Sequence, residues 1–233
     1  MNPPSPTLPP PTYEDLSSLL EYSLVQPELS EDDVARRCAL ALQYRIAAVI
    51  VRPSDLDLAA RSLAGVDVRL STLVSGTDGY ATTAVKTYET REMLRRGAQE
   101  IDTVMNTGKL ISRQFQYLET ELLQMADACH QSGAILKIEL ESEHLNEELN
   151  IVACRIARRA GADYIATRKA EDLAILNAHL RDRLRVKFAG AVSDLDAVLA
   201  LKAGGCTRIA LTDPKPILEE WKQRLAGDAK SGT

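Results

Sequence analysis

The sequence predicts an α/β chain folded as a single (β/α)8 (TIM) barrel. Eight short β-rich runs alternate with helical periodicities along the chain. Three junctions, RRGAQEID, RAGADYIA and KAGGCTRIA, share one form: helix, glycine stop, strand. An open doubly wound sheet would want a Gly-x-Gly-x-x-Gly turn after its first strand, and none is present.

The elements follow in order. Residues 1–11 are proline-rich and polar, and proline fixes φ and removes donors, so a disordered tail is expected there. The barrel is expected over 12–228, with a frayed C-terminus at 229–233. Strands are predicted at 21–25, 46–51, 67–74, 100–106, 134–140, 163–167, 185–189 and 207–212. Ser30 is placed to cap the helix that follows the first strand, and Ser193 the helix after the seventh. Over 111–130, Phe115, Leu118, Leu122 and Met125 fall at three- and four-residue steps and give one apolar face. The last helix carries Ile217, Leu218, Trp221 and Leu225, a face suited to covering the barrel or to pairing two copies as a homodimer.

Composition narrows the class. The 233 residues carry 28 basic and 33 acidic side chains, a net charge of −5, with no basic run that would suit nucleic acid. The longest apolar runs are too short to span a bilayer, and no secretory signal opens the chain. Cys38, Cys129, Cys154 and Cys206 form no Cys-x-x-Cys pair and are expected as reduced thiols in the cytoplasm. His130, His144 and His179 are read as surface residues, without zinc-ligand spacing. No metal or other cofactor is expected.

In such a barrel the active site lies at the carboxyl ends of the strands, so the informative residues are polar ones that point inward. Alternation puts Asp102, Val104 and Asn106 on one face of strand four, and Lys137, Glu139 and Glu141 on one face of strand five. Tyr164, Ala166 and Arg168 form one set on strand six, and Lys187 stands between Val186 and Phe188 on strand seven. Buried charges are costly unless paired. Two readings are open: an internal ion-pair network, or a carbonyl site in which a lysine amine forms a Schiff base and a carboxylate moves protons. A divalent cation on Asp102, Glu139 and Glu141 is a third, opposed by the adjacent lysines.

These strands resemble those of the deoxyribose-phosphate aldolases, class I aldolases that join acetaldehyde to glyceraldehyde 3-phosphate through a lysine Schiff base. The resemblance spans about residues 16–213 and is carried by ATTAVKTYETREMLRRGAQEIDTVMNTGKL (81–110), ILKIELESEHLNEELNIVACRIARRAGADYIAT (135–167) and VKFAGAVSDLDAVLALKAGGCTRIALT (186–212). It implies that Asp102 is the proton-shuttling aspartate and Lys187 the second active-site lysine. Lys137 and Asn106 also fall on positions the family fills in the same way. Thr167, Arg168 and Gly190 fall in its substrate-binding loops. The Schiff-base lysine itself is missing, because its position is Ala166 within ATRKA. Ala191 replaces the second glycine after strand seven, and Asp213 and Pro214 replace small residues after strand eight, where phosphate is gripped. The resemblance therefore implies an aldolase-like lyase with an altered site, acting on a small carbonyl compound without a phosphate anchor. The alternative is a non-catalytic relative that binds, regulates or scaffolds.

Overall fold

A computed structural model describes residues 12–181 and 183–231. The proline-rich stretch falls outside the described residues. Of the C-terminal stretch, residues 229–231 are described, and they continue the last helix.

Eight parallel strands pair in sequence order and close into a barrel. They are β1 (Leu20–Leu24), β2 (Ala48–Val51), β3 (Arg69–Val74), β4 (Glu100–Val104), β5 (Ile135–Glu139), β6 (Tyr164–Thr167), β7 (Arg185–Phe188) and β8 (Arg208–Leu211). A short helix α1 (Glu14–Ser17) precedes the first strand. Around the sheet run α2 (Glu31–Tyr44), α3 (Leu56–Ser62), α4 (Thr83–Arg95), α5 (Thr107–Ile111) and α6 (Phe115–Gln131). The ring continues with α7 (Glu147–Arg159), α8 (Asp172–His179), α9 (Leu195–Ala203) and α10 (Lys215–Ser231).

Local chemistry explains most of the boundaries. Ser30 accepts from the Asp33 N–H while Asp33 accepts from the Ser30 N–H, a reciprocal cap on α2. The cap of α9 is Asp194, one residue later than the sequence predicts. Asp194 takes the extended backbone and accepts from Ala197 N, while Ser193 spends its hydroxyl on the Asp194 carboxylate. The helical pattern over 111–130 begins late, because Arg113 at φ 56° breaks the chain between α5 and α6.

The apolar core lies between sheet and helices. Val49, Val51, Ile101, Leu136, Ile138, Ile165, Val186 and Ile209 are fully buried on the outward faces of their strands. Ile217, Leu218 and Trp221 of α10 are buried too, and Leu225 packs against the same core. That face therefore covers the barrel's own side and is not free to pair two copies. His130 is half-buried rather than on the surface, because its Nε2 lies 3.0 Å from Asp163 Oδ2.

Candidate active site

The barrel interior differs from its outer core because the inward positions are charged. Strand pairing aligns Asp102 with Lys137 and Tyr164, and Glu139 with Ala166, Lys187 and Arg208. Neighbours in such a register point to the same side, so one belt of charge forms inside.

Lys137 Nζ lies 2.9 Å from Glu21 Oε1, 2.7 Å from Glu100 Oε2 and 2.9 Å from Asp102 Oδ2. Lys187 Nζ lies 2.9 Å from Glu21 Oε2, bonds Asp102 Oδ1, and stands 3.6 Å from Glu139 Oε1. Ser71 donates to Asp102 Oδ2 at 2.6 Å. Below them Arg208 approaches Glu100 at 3.6 Å and Glu21 at 3.8 Å. Three cations thus face three fully buried carboxylates, and the set is neutral.

Burial alone would push both amines down. For Lys137 the carboxylates of Asp102, Glu100 and Glu21 more than offset burial, and its pKa lies well above the ordinary lysine value. The Lys187 amine is also raised: burial and the Lys137 charge oppose this, and Asp102 and Glu21 outweigh them. Burial likewise works against ionised Asp102 and Glu21, but the two ammonium groups hold both carboxyls below their usual range. Both lysines are ammonium ions at neutral pH.

Above the belt a cavity of about 540 Å³ opens at the carboxyl ends of the strands. Asp102 and Glu139 reach it from below, and Arg168, Gly190 and Asp213 line its sides. Lys137 and Lys187 are fully buried, whereas the Glu139 side chain is 15% exposed and lies 3.6 Å from the Arg168 guanidinium. Ala166 sits between Glu139 and Lys187 in the register, and the two charged side chains meet beside its methyl group. Lys169 is not among the cavity residues.

The other residues singled out from sequence have local partners. Asn106 caps α5, its Oδ1 accepting from Lys109 N. Thr167 has the opposite parity to Ala166, and its hydroxyl bonds Asp172 Oδ2 at 2.8 Å. Glu141 lies beyond the end of β5, and the structure does not bring it to the belt or the cavity. Gly190 has a steric reason to be glycine, since a Cβ there would lie 2.3 Å from the Arg168 carbonyl oxygen. Arg52, at the rim, is a cross-link: it pairs with Asp55 at 2.6 Å and donates to the carbonyls of Gln26, Pro27 and Leu29. Among the described residues no group of three His, Cys, Asp or Glu side chains is placed to hold a metal ion, and the convergent carboxylates of the belt are taken up by ammonium groups.

Sequence reasoning missed Glu21, Glu100, Ser71 and Arg208. For Glu100 a signal was present, because it has the parity of Asp102 within its strand.

The fold and site define a (β/α)8 protein with paired lysines and carboxylates inside a closed parallel barrel, beneath a cavity at the strand ends, where such barrels carry their active sites. No family model matches the chain. The deoxyribose-phosphate aldolase of Bacteroides thetaiotaomicron is 31% identical over 224 residues, covering 93% of this chain and 94% of that protein. That of Methanothermobacter thermautotrophicus is 31% identical, covering 91% and 97%. Among solved structures, the aldolase QR15 superposes with a TM-score of 0.85 at 27% identity, covering 91% of this chain and 98% of its own. The tetrameric deoxyribose phosphate aldolase of Aeropyrum pernix, at 22% identity, a TM-score of 0.83 and coverage of 91% and 92%, shares the fold. The chain belongs to the deoxyribose-phosphate aldolase family.

Proposed function

We propose that this family member takes a small, unphosphorylated carbonyl compound into the mouth of its barrel and forms no Schiff base with it. One observation carries the reading: each interior lysine is fully buried and held as an ammonium ion by carboxylates. Imine formation needs a neutral amine. Even an ordinary lysine, with a pKa of about 10.4, is neutral in under about one part in a thousand at pH 7. The raised values of Lys137 and Lys187 lower that fraction further, and position 166 supplies a methyl group.

The rim supports a ligand without phosphate. Asp213 lines the cavity, and Pro214 beside it has no N–H to donate. A carboxylate about 4 Å from a phosphate charge costs roughly 1–4 kcal/mol. The test is borohydride reduction in the presence of acetaldehyde, glyceraldehyde and pyruvate, followed by peptide mass mapping. No adduct on Lys137 or Lys187 is expected, and cleavage of deoxyribose 5-phosphate is expected at background rate. A reduced adduct on either lysine, or ordinary turnover, overturns the reading.

A second reading, retained acid–base catalysis, is favoured by Glu139. It reaches solvent between Lys187 and Arg168, where a carboxylate can exchange protons with a bound carbonyl compound. Deuterium uptake at the α-carbon of such a compound, followed by NMR and lost in Glu139→Gln, is its expected signature.

A cytoplasmic homodimer remains part of the proposal. The four cysteines are free and buried, which suits a reducing compartment. Because α10 is covered, pairing would have to use another face, such as the exposed Tyr80, Val85 and Tyr88. Light scattering giving twice the 25.5 kDa chain mass is the expected result; a monomer mass removes the dimer.

A further inference from the structure

A second cleft, of about 670 Å³, lies at the opposite end of the barrel, where the strands begin. Three guanidinium groups from distant parts of the chain line it: Arg45 after α2, Arg69 at the start of β3 and Arg208 at the start of β8. Leu42, Ile46 and Val66 supply an apolar wall.

The guanidiniums of Arg45 and Arg69 are only loosely engaged. Arg45 Nη1 is 3.4 Å from Glu14 Oε1, and Arg69 Nε is 3.8 Å from Glu100 Oε1. Arg208 is the more engaged of the three: it donates Nη1 to the Ser18 carbonyl, bonds Tyr164, and turns its Nε toward Glu21 at 3.8 Å. Well-formed charged hydrogen bonds run at about 2.7–2.9 Å, so the N–H groups of Arg45 and Arg69 retain donor capacity. The opposing charges near the cleft are Glu14 and Asp67 on its rim, with Glu100 and Glu21 behind Arg208.

Arg45 adds an independent sign. It holds φ 52° and ψ 46°, the left-handed conformation that glycine usually supplies at a helix end. For an L-residue that conformation costs roughly 1–2 kcal/mol. At this position the strained backbone carries an arginine side chain on the cleft wall.

We infer that this cleft binds a small dianion, a phosphate monoester or a dicarboxylate, with an apolar body lying on Leu42, Ile46 and Val66. Guanidinium forks from Arg45 and Arg69 engage the two charges, and Arg208 closes the site from within. The site is separate from the mouth and does not depend on the function proposed above.

Isothermal titration at low salt with phenyl phosphate, inorganic phosphate and succinate tests the inference. The wild-type chain, Arg69→Gln, Arg45→Gly and Arg168→Gln are compared. Saturable one-site binding is expected, tighter for phenyl phosphate than for inorganic phosphate and weakened at least tenfold in R69Q and in R45G. R168Q, altered at the mouth, binds as wild type. Glycine accepts the backbone of residue 45, so R45G removes the charge without disturbing the fold. Succinate binding more tightly than both phosphates identifies a dicarboxylate ligand. No saturable binding of any probe, unchanged binding in R69Q and R45G, or loss of binding in R168Q overturns the inference.

Discussion

Lys137 has few directions left in which to reach a substrate, since Glu21, Glu100 and Asp102 surround its ammonium group. Lys187 is held the same way by Glu21 and Asp102. Removing either charge strands carboxylates that are fully buried. Lys137→Met and Lys187→Met are each expected to destabilise the fold by about 3–5 kcal/mol, the usual cost of breaking a buried pair from one side; urea titration measures it. Glu139→Gln leaves Lys187 with two carboxylates and is expected to cost under about 1 kcal/mol, nearer to an exposed pair. Asp102, Lys137, Glu139 and Lys187 were legible in the sequence because alternation along one strand sorts inward from outward. Glu21 was not, since its contact with Lys137 joins residues 116 apart and depends on how the sheet closes. Asn106 and Thr167 have local work that the sequence did not reveal: short polar side chains at strand ends also serve the backbone and the helix that follows.

The elements set the mouth through close approaches. The loop after β7 lies against the loop after β6 at Gly190, so Gly190→Ala is expected to destabilise by about 1–3 kcal/mol through overpacking. A thermal melt of that variant equal to wild type would contradict the contact. Along the next helix, Asp194→Ala is expected to cost about 1 kcal/mol and Ser193→Ala much less, because the cap is Asp194. Strand positions were readable to within a few residues, since a buried β-run between glycine stops has few alternatives. The boundary of α9 was not, because Ser193 and Asp194 are both good caps and only backbone conformation chooses between them. The destination of the α10 apolar face was equally open in sequence, as a buried side and a pairing surface carry the same pattern.

Across the whole molecule the interior charge belt shapes the response to pH. Asp102 and Glu21 titrate lower in the folded chain than unfolded, so their stabilisation is complete above about pH 5 and is lost as pH falls through and below about 4. Lys137 and Lys187 titrate higher when folded, so their stabilisation is complete below about pH 10 and is lost only as pH rises through the raised values. A plateau in urea midpoint between about pH 5 and 8 is therefore expected, with a steep acid limb and a fall above about pH 8.5, where the thiols of Cys38, Cys129, Cys154 and Cys206 ionise in the unfolded chain while burial keeps them protonated in the folded one. Because the belt is neutral as a whole, its members are not independent under mutation. A lineage that lost Lys187 would have to shed or reverse an acid such as Glu21 in nearly the same step, so these sites should drift as charge-matched couples. A library that randomises Glu21 and Lys187 together should recover folded pairs absent from either single-site library.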